Sequence, residues 1–166
     1  MQVKLATSQG DIVLALDTQA APETCANFAQ YVRDGFYDGT IFHRVISNFM
    51  IQGGGFTAEM EQKSTRDTIQ NEAKNGLKNK LGSIAMARTN APHSASSQFF
   101  INVQNNGFLD YPGQDGWGYC VFGQVTEGLD VVQAIAQVAT TRRAGHADVP
   151  TDAVTIQQAT LMEDDA

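Results

Sequence analysis

The chain has 166 residues, two cysteines and a formal net charge of −7. That length suits one domain with a substantial core. The acidic balance excludes a non-specific nucleic-acid binder, which needs a basic footprint, and no apolar run approaches the roughly 20 residues that cross a bilayer.

Met1-Gln2-Val3-Lys4-Leu5 reads straight into a strand, without the basic head and apolar stretch of a secretory signal, so a cytoplasmic location is expected. Val3–Thr7 and Asp11–Leu16 are β-rich runs joined by Ser8-Gln9-Gly10, a hairpin signal. Pro22 and Glu23 open a helix in which Cys25, Phe28, Ala29 and Val32 share one apolar face, and Gly35 marks its end. β patterning returns over 36–55. Residues 57–80 are polar and irregular, long for a connection in a compact domain and therefore a candidate binding loop. Gly82–Ala87 is a short strand, 88–97 a polar loop, and Gln98–Val103 a strand with Gln98, Phe100 and Asn102 on one face and Phe99, Ile101 and Val103 on the other.

Residues 105–118, rich in Gly, Asn and Asp, predict a loop with one helical turn near Phe108-Leu109. Tyr119–Val125 reads as a strand, Gly128–Val138 as a second helix, 140–152 as a polar loop and Val154–Leu161 as the last strand. Glu163-Asp164-Asp165 reads as a solvated tail. Six to eight short strands with two helices predict an all-β, mainly β barrel or sandwich with helical caps. If the first and last strands pair, the sheet closes and loses its edges. No repeat or linker divides residues 1–166, and the domain core is expected over about 3–162.

Cys25 and Cys120 match no metal or redox spacing and read as reduced, packed thiols, as suits the cytoplasm. His43, His93 and His146 are scattered without ligand spacing, so neither a metal nor another cofactor is expected. Ser94, Ser96 and Ser97 near His93 read as a polar loop rather than a nucleophile with its base, which disfavours a hydrolase. Gly53-Gly54-Gly55 lacks the spacing of a phosphate loop and reads as tight backbone geometry.

The chemistry concentrates in residues 42–56. Arg44 sits in an otherwise apolar run; in an alternating strand Met50 and Gln52 share a face and Ile51 points away. His43 then faces opposite Arg44 and reads as a hydrogen-bonded packing residue. A guanidinium, an amide and a soft apolar surface together suit a neutral ligand whose charge distribution shifts during a reaction.

Four segments in order, Phe42-His43-Arg44-Val45-Ile46, Phe49-Met50-Ile51-Gln52-Gly53-Gly54, Ser97-Gln98-Phe99-Phe100-Ile101 and Val121-Phe122-Gly123, resemble the cyclophilin family of peptidyl-prolyl cis–trans isomerases. The resemblance covers about Val3 to Met162. Gly76-Leu77-Lys78-Asn79 and Gly116-Trp117-Gly118-Tyr119-Cys120 look most like the short, single-domain bacterial members. It implies a closed eight-stranded antiparallel β-barrel capped by two α-helices, with the active groove on the outer face. It also implies an enzyme that accelerates rotation about X-Pro bonds and assists protein folding.

Carried over position by position, Arg44 matches the family's catalytic arginine. Phe49, Met50, Phe100 and Leu109 match the proline pocket, with Phe108 and Tyr119 at its rim. Gln52 and Gln98 match the polar groups beside the arginine, Gln52 holding Arg44 and Gln98 touching substrate backbone. The backbone of Ala87, Arg88 and Thr89 matches the rail along which a peptide lies. Three positions depart from the pattern: Arg88 stands where many members have Asn, a contact expected to act through backbone; Phe108 replaces a tryptophan of eukaryotic members; Tyr119 replaces a histidine. A phenyl ring has no indole N–H to donate, so cyclosporin binding is expected to be weak.

Expected partners are proline-containing peptides and unfolded or folded protein clients, with no nucleic acid, no membrane and a monomeric chain. A binding or holdase module with incidental turnover is the alternative from another class. Intact Arg44 and Gln52 favour the enzyme, and rescue of function by an inactive but binding-competent Arg44→Ala chain would favour the module.

Overall fold

The computed structural model describes residues 1–162, so the acidic stretch 163–165 lies outside the described residues. β1 (Gln2–Thr7) and β2 (Gly10–Leu16) form the predicted hairpin, paired from Gln2–Ala15 to Thr7–Gly10. Alternation buries Val3, Leu5, Ile12 and Leu14 completely. α1 (Pro22–Arg33) starts at Pro22 and gives way to Gly35 at φ 69°, as the sequence indicates. Its N-terminus has no local side-chain cap; Glu72 of the long 57–80 connection accepts hydrogen bonds from the Thr24 N–H at 2.7 Å and hydroxyl at 2.6 Å. Lys63 donates to the Phe36 carbonyl and Arg66 pairs with Asp34, so this connection is belted to α1.

The remaining strands of the main sheet are β3 (Arg44–Ile46), β4 (Met50–Gly53), β5 (Ser83–Met86), β6 (Phe99–Asn102), β7 (Val121–Glu127) and β10 (Ile156–Met162). The sheet is eight-stranded and antiparallel, in the order β10-β1-β2-β7-β5-β6-β4-β3. β1 and β10 do pair, but that pairing does not close the sheet; the free edges are β10 and β3. The gap is bridged by the segment leading into β3. Ile41 pairs with Thr155, the Phe42 N–H donates to the Val154 carbonyl at 3.0 Å, and the Ile156 N–H donates to Thr40 at 2.8 Å. The architecture is thus the expected β-barrel with two helices, its last seam made by isolated bonds rather than a ladder.

The predicted polar loop 140–152 is instead a hairpin. β8 (Thr140–Arg143) and β9 (His146–Pro150) are joined by Ala144 at φ 50° and Gly145 at φ 81°, the two left-handed residues a tight hairpin turn requires. All four residues of β8 are exposed, so it carries no apolar alternation by which to be recognised. β9 packs along β3 and shelters that edge of the sheet.

α2 (Leu129–Ala136) is slightly shorter than predicted and buries Val132, Ile135 and Ala136. Inside the barrel, the Phe28 ring lies 5.2 Å from Tyr37, 5.5 Å from Phe99 and 5.2 Å from Phe122, centroid to centroid. Cys25 and Cys120 are unpaired and buried; desolvation pushes their thiols up to about 12 and about 11.

Candidate active site

Strand pairing alone assembles most of the site. Arg44 is opposite Gln52, Gln52 opposite Phe100, Phe100 opposite Ala85, and Ala85 opposite Val121. Residues opposite one another share a face, so this row crosses the outside of the sheet. Met50, two residues from Gln52, lies on the same face. Met50, Ala85, Phe100 and Val121 accordingly form an apolar cluster separate from the core, to which Ile51, Ile84, Phe99, Ile101 and Phe122 belong. The turn between β3 and β4 places Asn48 at φ 63°, a conformation Asn tolerates better than most side chains, and Phe49 follows at the lip.

A pocket of about 140 Å³ opens on this face, lined by Arg44, Phe49, Met50, Gln52, Ala87, Arg88, Phe100, Leu109 and Tyr119. Nine of the twelve residues singled out in the sequence therefore meet in one concavity. Met50 and Phe100 form its floor, 2% and 4% exposed, while Arg44 is exposed at its edge. Arg44 Nη1 donates to Gln52 Oε1 over 3.4 Å, a long bond, and Gln52 Nε2 donates to Gln98 Oε1 at 3.0 Å. No carboxylate pairs with Arg44 among the described residues.

The other three residues do not line the pocket. Gln98 orients Gln52 and does not line the pocket. Phe108 is 58% exposed and stacks on Phe49 at 5.8 Å. Thr89 continues the 87–89 segment, but its N–H donates to Ser94 Oγ at 2.9 Å and its carbonyl accepts from Arg88 Nη1 at 2.9 Å. The Ala87 N–H donates to the Gln98 carbonyl at 3.0 Å. Among the described residues, no hydrogen bond engages the Ala87 carbonyl or the Arg88 backbone groups.

Space for Gln98 comes from a glycine. A Cβ on Gly55 would stand 2.5 Å from Gln98 Cγ and 2.6 Å from Nε2. The closest atom, Cγ, is mid-chain, so the whole Gln98 side chain must turn aside, and Gly55→Ala should cost about 1–3 kcal/mol of stability. The displaced Gln98 would release Gln52, and a misplaced support of this kind should lower any turnover at this pocket by about tenfold. Denaturation curves and peptide kinetics on one preparation check both halves; a loss of stability without loss of rate would refute the assignment.

Several features were not legible in the sequence. Buried Asn102 donates to Asn79 Oδ1 at 3.0 Å and Ser83 Oγ at 2.9 Å, and accepts from Asn106 Nδ2 at 2.8 Å. Asn106 Nδ2 also donates to the Phe49 carbonyl at 2.9 Å, so a satisfied polar network underpins the pocket wall. Arg88, expected to act through its backbone, has a nearly buried side chain paired with Asp115. His43, just before β3, is buried while Arg44 is exposed; it packs on Phe56 at 4.4 Å and leaves Nδ1 without the hydrogen bond expected of it.

No nucleophile–base pair forms in the 88–97 loop. Ser94 Oγ is engaged by Thr89 and the Ala91 carbonyl, while His93 Nδ1 accepts the Asn71 N–H at 3.0 Å. What the site offers is an apolar cup with, at its rim, a guanidinium that has no carboxylate partner among the described residues.

Comparison with known proteins agrees with this chemistry. Residues 2–161 match the model of the family described as cyclophilin type peptidyl-prolyl cis-trans isomerase. A peptidyl-prolyl cis-trans isomerase of Streptomyces antibioticus, cyp18, is 60% identical, the match covering 96% of this chain and 98% of that one. Peptidyl-prolyl cis-trans isomerase B of Escherichia coli K12 is 57% identical over 95% of this chain and 97% of its own. In fold, the chain superposes on a Cryptosporidium parvum cyclophilin-type isomerase determined in the presence of the dipeptide Ala-Pro. The TM-score is 0.82 at 24% identity, with 99% of this chain and 100% of that one covered.

Proposed function

The chain belongs to the cyclophilin-type peptidyl-prolyl cis–trans isomerase family, and from that premise we propose that Arg44 stabilises the twisted amide of an X-Pro bond held in the outer pocket. The enzyme accelerates a rotation that makes and breaks no covalent bond. The barrier is roughly 18–20 kcal/mol because rotation breaks amide resonance, and uncatalysed exchange takes on the order of 10–100 s. At the twisted transition state the prolyl nitrogen regains a localised lone pair. A donor aimed there favours the transition state over both planar ground states.

The observation that carries this reading is an arginine at the edge of an apolar cup, without a carboxylate partner among the described residues. A guanidinium presents a fixed fork of donors. A charge-assisted hydrogen bond contributes about 1.5–3 kcal/mol net, which converts to roughly 10- to 150-fold in rate. The floor of Met50 and Phe100 and the walls of Phe49 and Leu109 would grip the proline ring and keep water from the amide, strengthening the field of Arg44. Gln52, steadied by Gln98, limits where Arg44 can point. The Ala87 carbonyl and the Arg88 backbone groups would pair with the peptide on either side of proline.

The proposed substrates are proline-containing segments of unfolded or folded proteins. Cyclosporin should bind weakly, since Phe108 supplies no N–H at the rim. The exposed large apolar side chains are divided among Met1 and Met162, Leu81, and Phe108 with Tyr111, which supports a monomer. Among the described residues no helix is long and apolar enough to cross a membrane. The two unpaired thiols support a cytoplasmic setting.

Two-dimensional exchange NMR on a short Ala-Pro peptide tests the proposal. Wild type should produce exchange cross-peaks at substoichiometric enzyme, with a rate constant that varies less than about twofold between pH 6 and 8 because no proton moves. Peptide shifts without exchange would return the chain to a binding module; a bell-shaped profile across neutrality would replace Arg44 stabilisation with proton transfer.

A further inference from the structure

The side chain of Arg88 is only 3% exposed although it borders an open groove. Nη1 donates to the Thr89 carbonyl of its own rail at 2.9 Å, while Nε and Nη2 are directed at the loop that forms the far wall. Nη2 donates to Asp115 Oδ2 at 2.6 Å and to the Gly118 carbonyl at 2.8 Å; Nε reaches the same carbonyl at 3.1 Å. The guanidinium carbon lies 4.5 Å from the centroid of the Tyr119 ring, in cation–π range. Asp115 completes the arrangement from the other side: its Oδ1 accepts the N–H groups of Trp117 at 3.0 Å and Gly118 at 3.1 Å. Asn71 adds a third donor to the Gly118 carbonyl at 3.1 Å.

Residues 111–116 are exposed, so their own burial does not hold this loop in place. Both ends of the loop are pocket walls, since the Tyr119 N–H donates to the Leu109 carbonyl at 2.9 Å and both side chains line the cavity. Tyr119 meets the floor ring of Phe100 at 5.7 Å, edge to face. The guanidinium therefore ties the 87–89 rail to the opposite wall with a planar, multidentate fork that a lysine cannot reproduce.

We propose that Arg88 and Asp115 act as a positioning pair that fixes Tyr119 against the pocket and sets the width of the groove between the rail and the 110–118 loop. This rests on the isomerase reading above and adds Asp115, which does not line the pocket, to the residues that determine how a prolyl peptide is held. The pair acts on binding rather than on the twisting amide, because neither Arg88 nor Asp115 stands beside Arg44 in the strand register.

The test uses the full chain as wild type, Asp115→Ala, Asp115→Asn, Arg88→Lys, Arg88→Ala and the double variant Arg88→Ala/Asp115→Ala. An Ala-Pro peptide is titrated by NMR for affinity, and its exchange rate is read at saturation. The emission of Trp117, the single tryptophan, reports the loop; its ring abuts His93 at 4.5 Å. Asp115→Ala should weaken peptide binding roughly five- to tenfold, as loss of a partly exposed ion pair with its hydrogen bonds would. The exchange rate at saturation should change less than about twofold, the mark of lost uniform binding, and the Trp117 emission should move to the red.

Asp115→Asn, whose amide oxygen still accepts from Trp117 and Gly118, should fall between Asp115→Ala and wild type. The double variant should bind no worse than Arg88→Ala alone. Unchanged affinity and emission in Asp115→Ala would overturn the proposal. So would single effects that multiply in the double variant, or a fall in saturated rate that matches a loss of folded fraction in denaturation curves. If Arg88→Ala does not fold, Arg88→Lys takes its place in the cycle. Absence of exchange in wild type would instead defeat the isomerase reading itself.

Discussion

Arg44→Ala should lower kcat/KM for an Ala-Pro peptide by roughly 100- to 1000-fold, the range seen when one preorganised transition-state donor is removed. The expectation exceeds the 10- to 150-fold of an ordinary charge-assisted bond because the cup excludes water on one side of the amide. The fold should survive. Arg44 is exposed, its hydrogen bond to Gln52 is 3.4 Å long, and it has no ion pair among the described residues. A change in unfolding free energy within about 0.5 kcal/mol is therefore expected. Peptide affinity should fall far less than rate if, as proposed, Phe49, Met50, Phe100 and Leu109 grip the proline ring. Arg44→Lys should recover only part of the rate: it restores the charge but not the planar fork. Exchange NMR with the variants side by side decides the matter. Equal acceleration by wild type and Arg44→Ala would leave the enzyme standing and remove Arg44 as the donor.

The residues whose roles depend on local periodicity were the legible ones. Alternation along one strand is enough to put Met50 and Gln52 outside and Ile51 inside, and the same rule sorts Phe100 from Phe99 and Ile101. The helix over 22–33 carries its start signal and apolar face in contiguous sequence. β8 does not: it is exposed throughout and pairs through a turn of Ala144-Gly145, a weaker signal than Asn-Gly. The seam of the barrel was equally hidden, because the bonds between 39–42 and 154–156 join segments more than a hundred positions apart and involve backbone alone.

In the site, hidden features are those that need a distant partner. Arg88 looks like a surface residue until Asp115, 27 positions away, folds back over it. Asn79, Asn102 and Asn106 look like ordinary loop and strand-end amides, yet together they satisfy one another beneath Phe49 and Leu109. Burying such amides is tolerable only when every one finds a partner. That condition is a property of the assembled barrel and has no local trace.

Acidification from pH 7.5 to 4 should remove about 3 kcal/mol of stability through His43 alone. The side chain is 5% exposed, and burial lowers its pKa from the ordinary 6.5 to about 4, with His146 of β9 and the neighbouring Arg44 pushing the same way. Its ring lies against Phe56 at 4.4 Å and His146 at 6.3 Å, and Nδ1 has no partner. Protonation would place a second N–H where nothing accepts it. Between pH 6.5 and 4 the unfolded chain binds a proton here that the folded chain refuses. The contribution is thus complete above the unfolded pKa and is lost as pH falls to the folded one, at about 1.36 kcal/mol per unit of difference. Asp115, held low by Arg88 and two backbone N–H groups, loses its contribution only at more acid pH and does not enter this window. Urea unfolding of wild type and His43→Phe at half-unit steps separates the term, since every other ionisable group is common to both chains. The free-energy gap between the two chains should shift by about 3 kcal/mol in favour of His43→Phe across the window. Parallel curves would mean that the folded protein accommodates the charge. Because His43 does not line the outer pocket, the variant should retain isomerase activity at neutral pH, which separates this acid sensitivity of the fold from the chemistry proposed for the arginine one residue away.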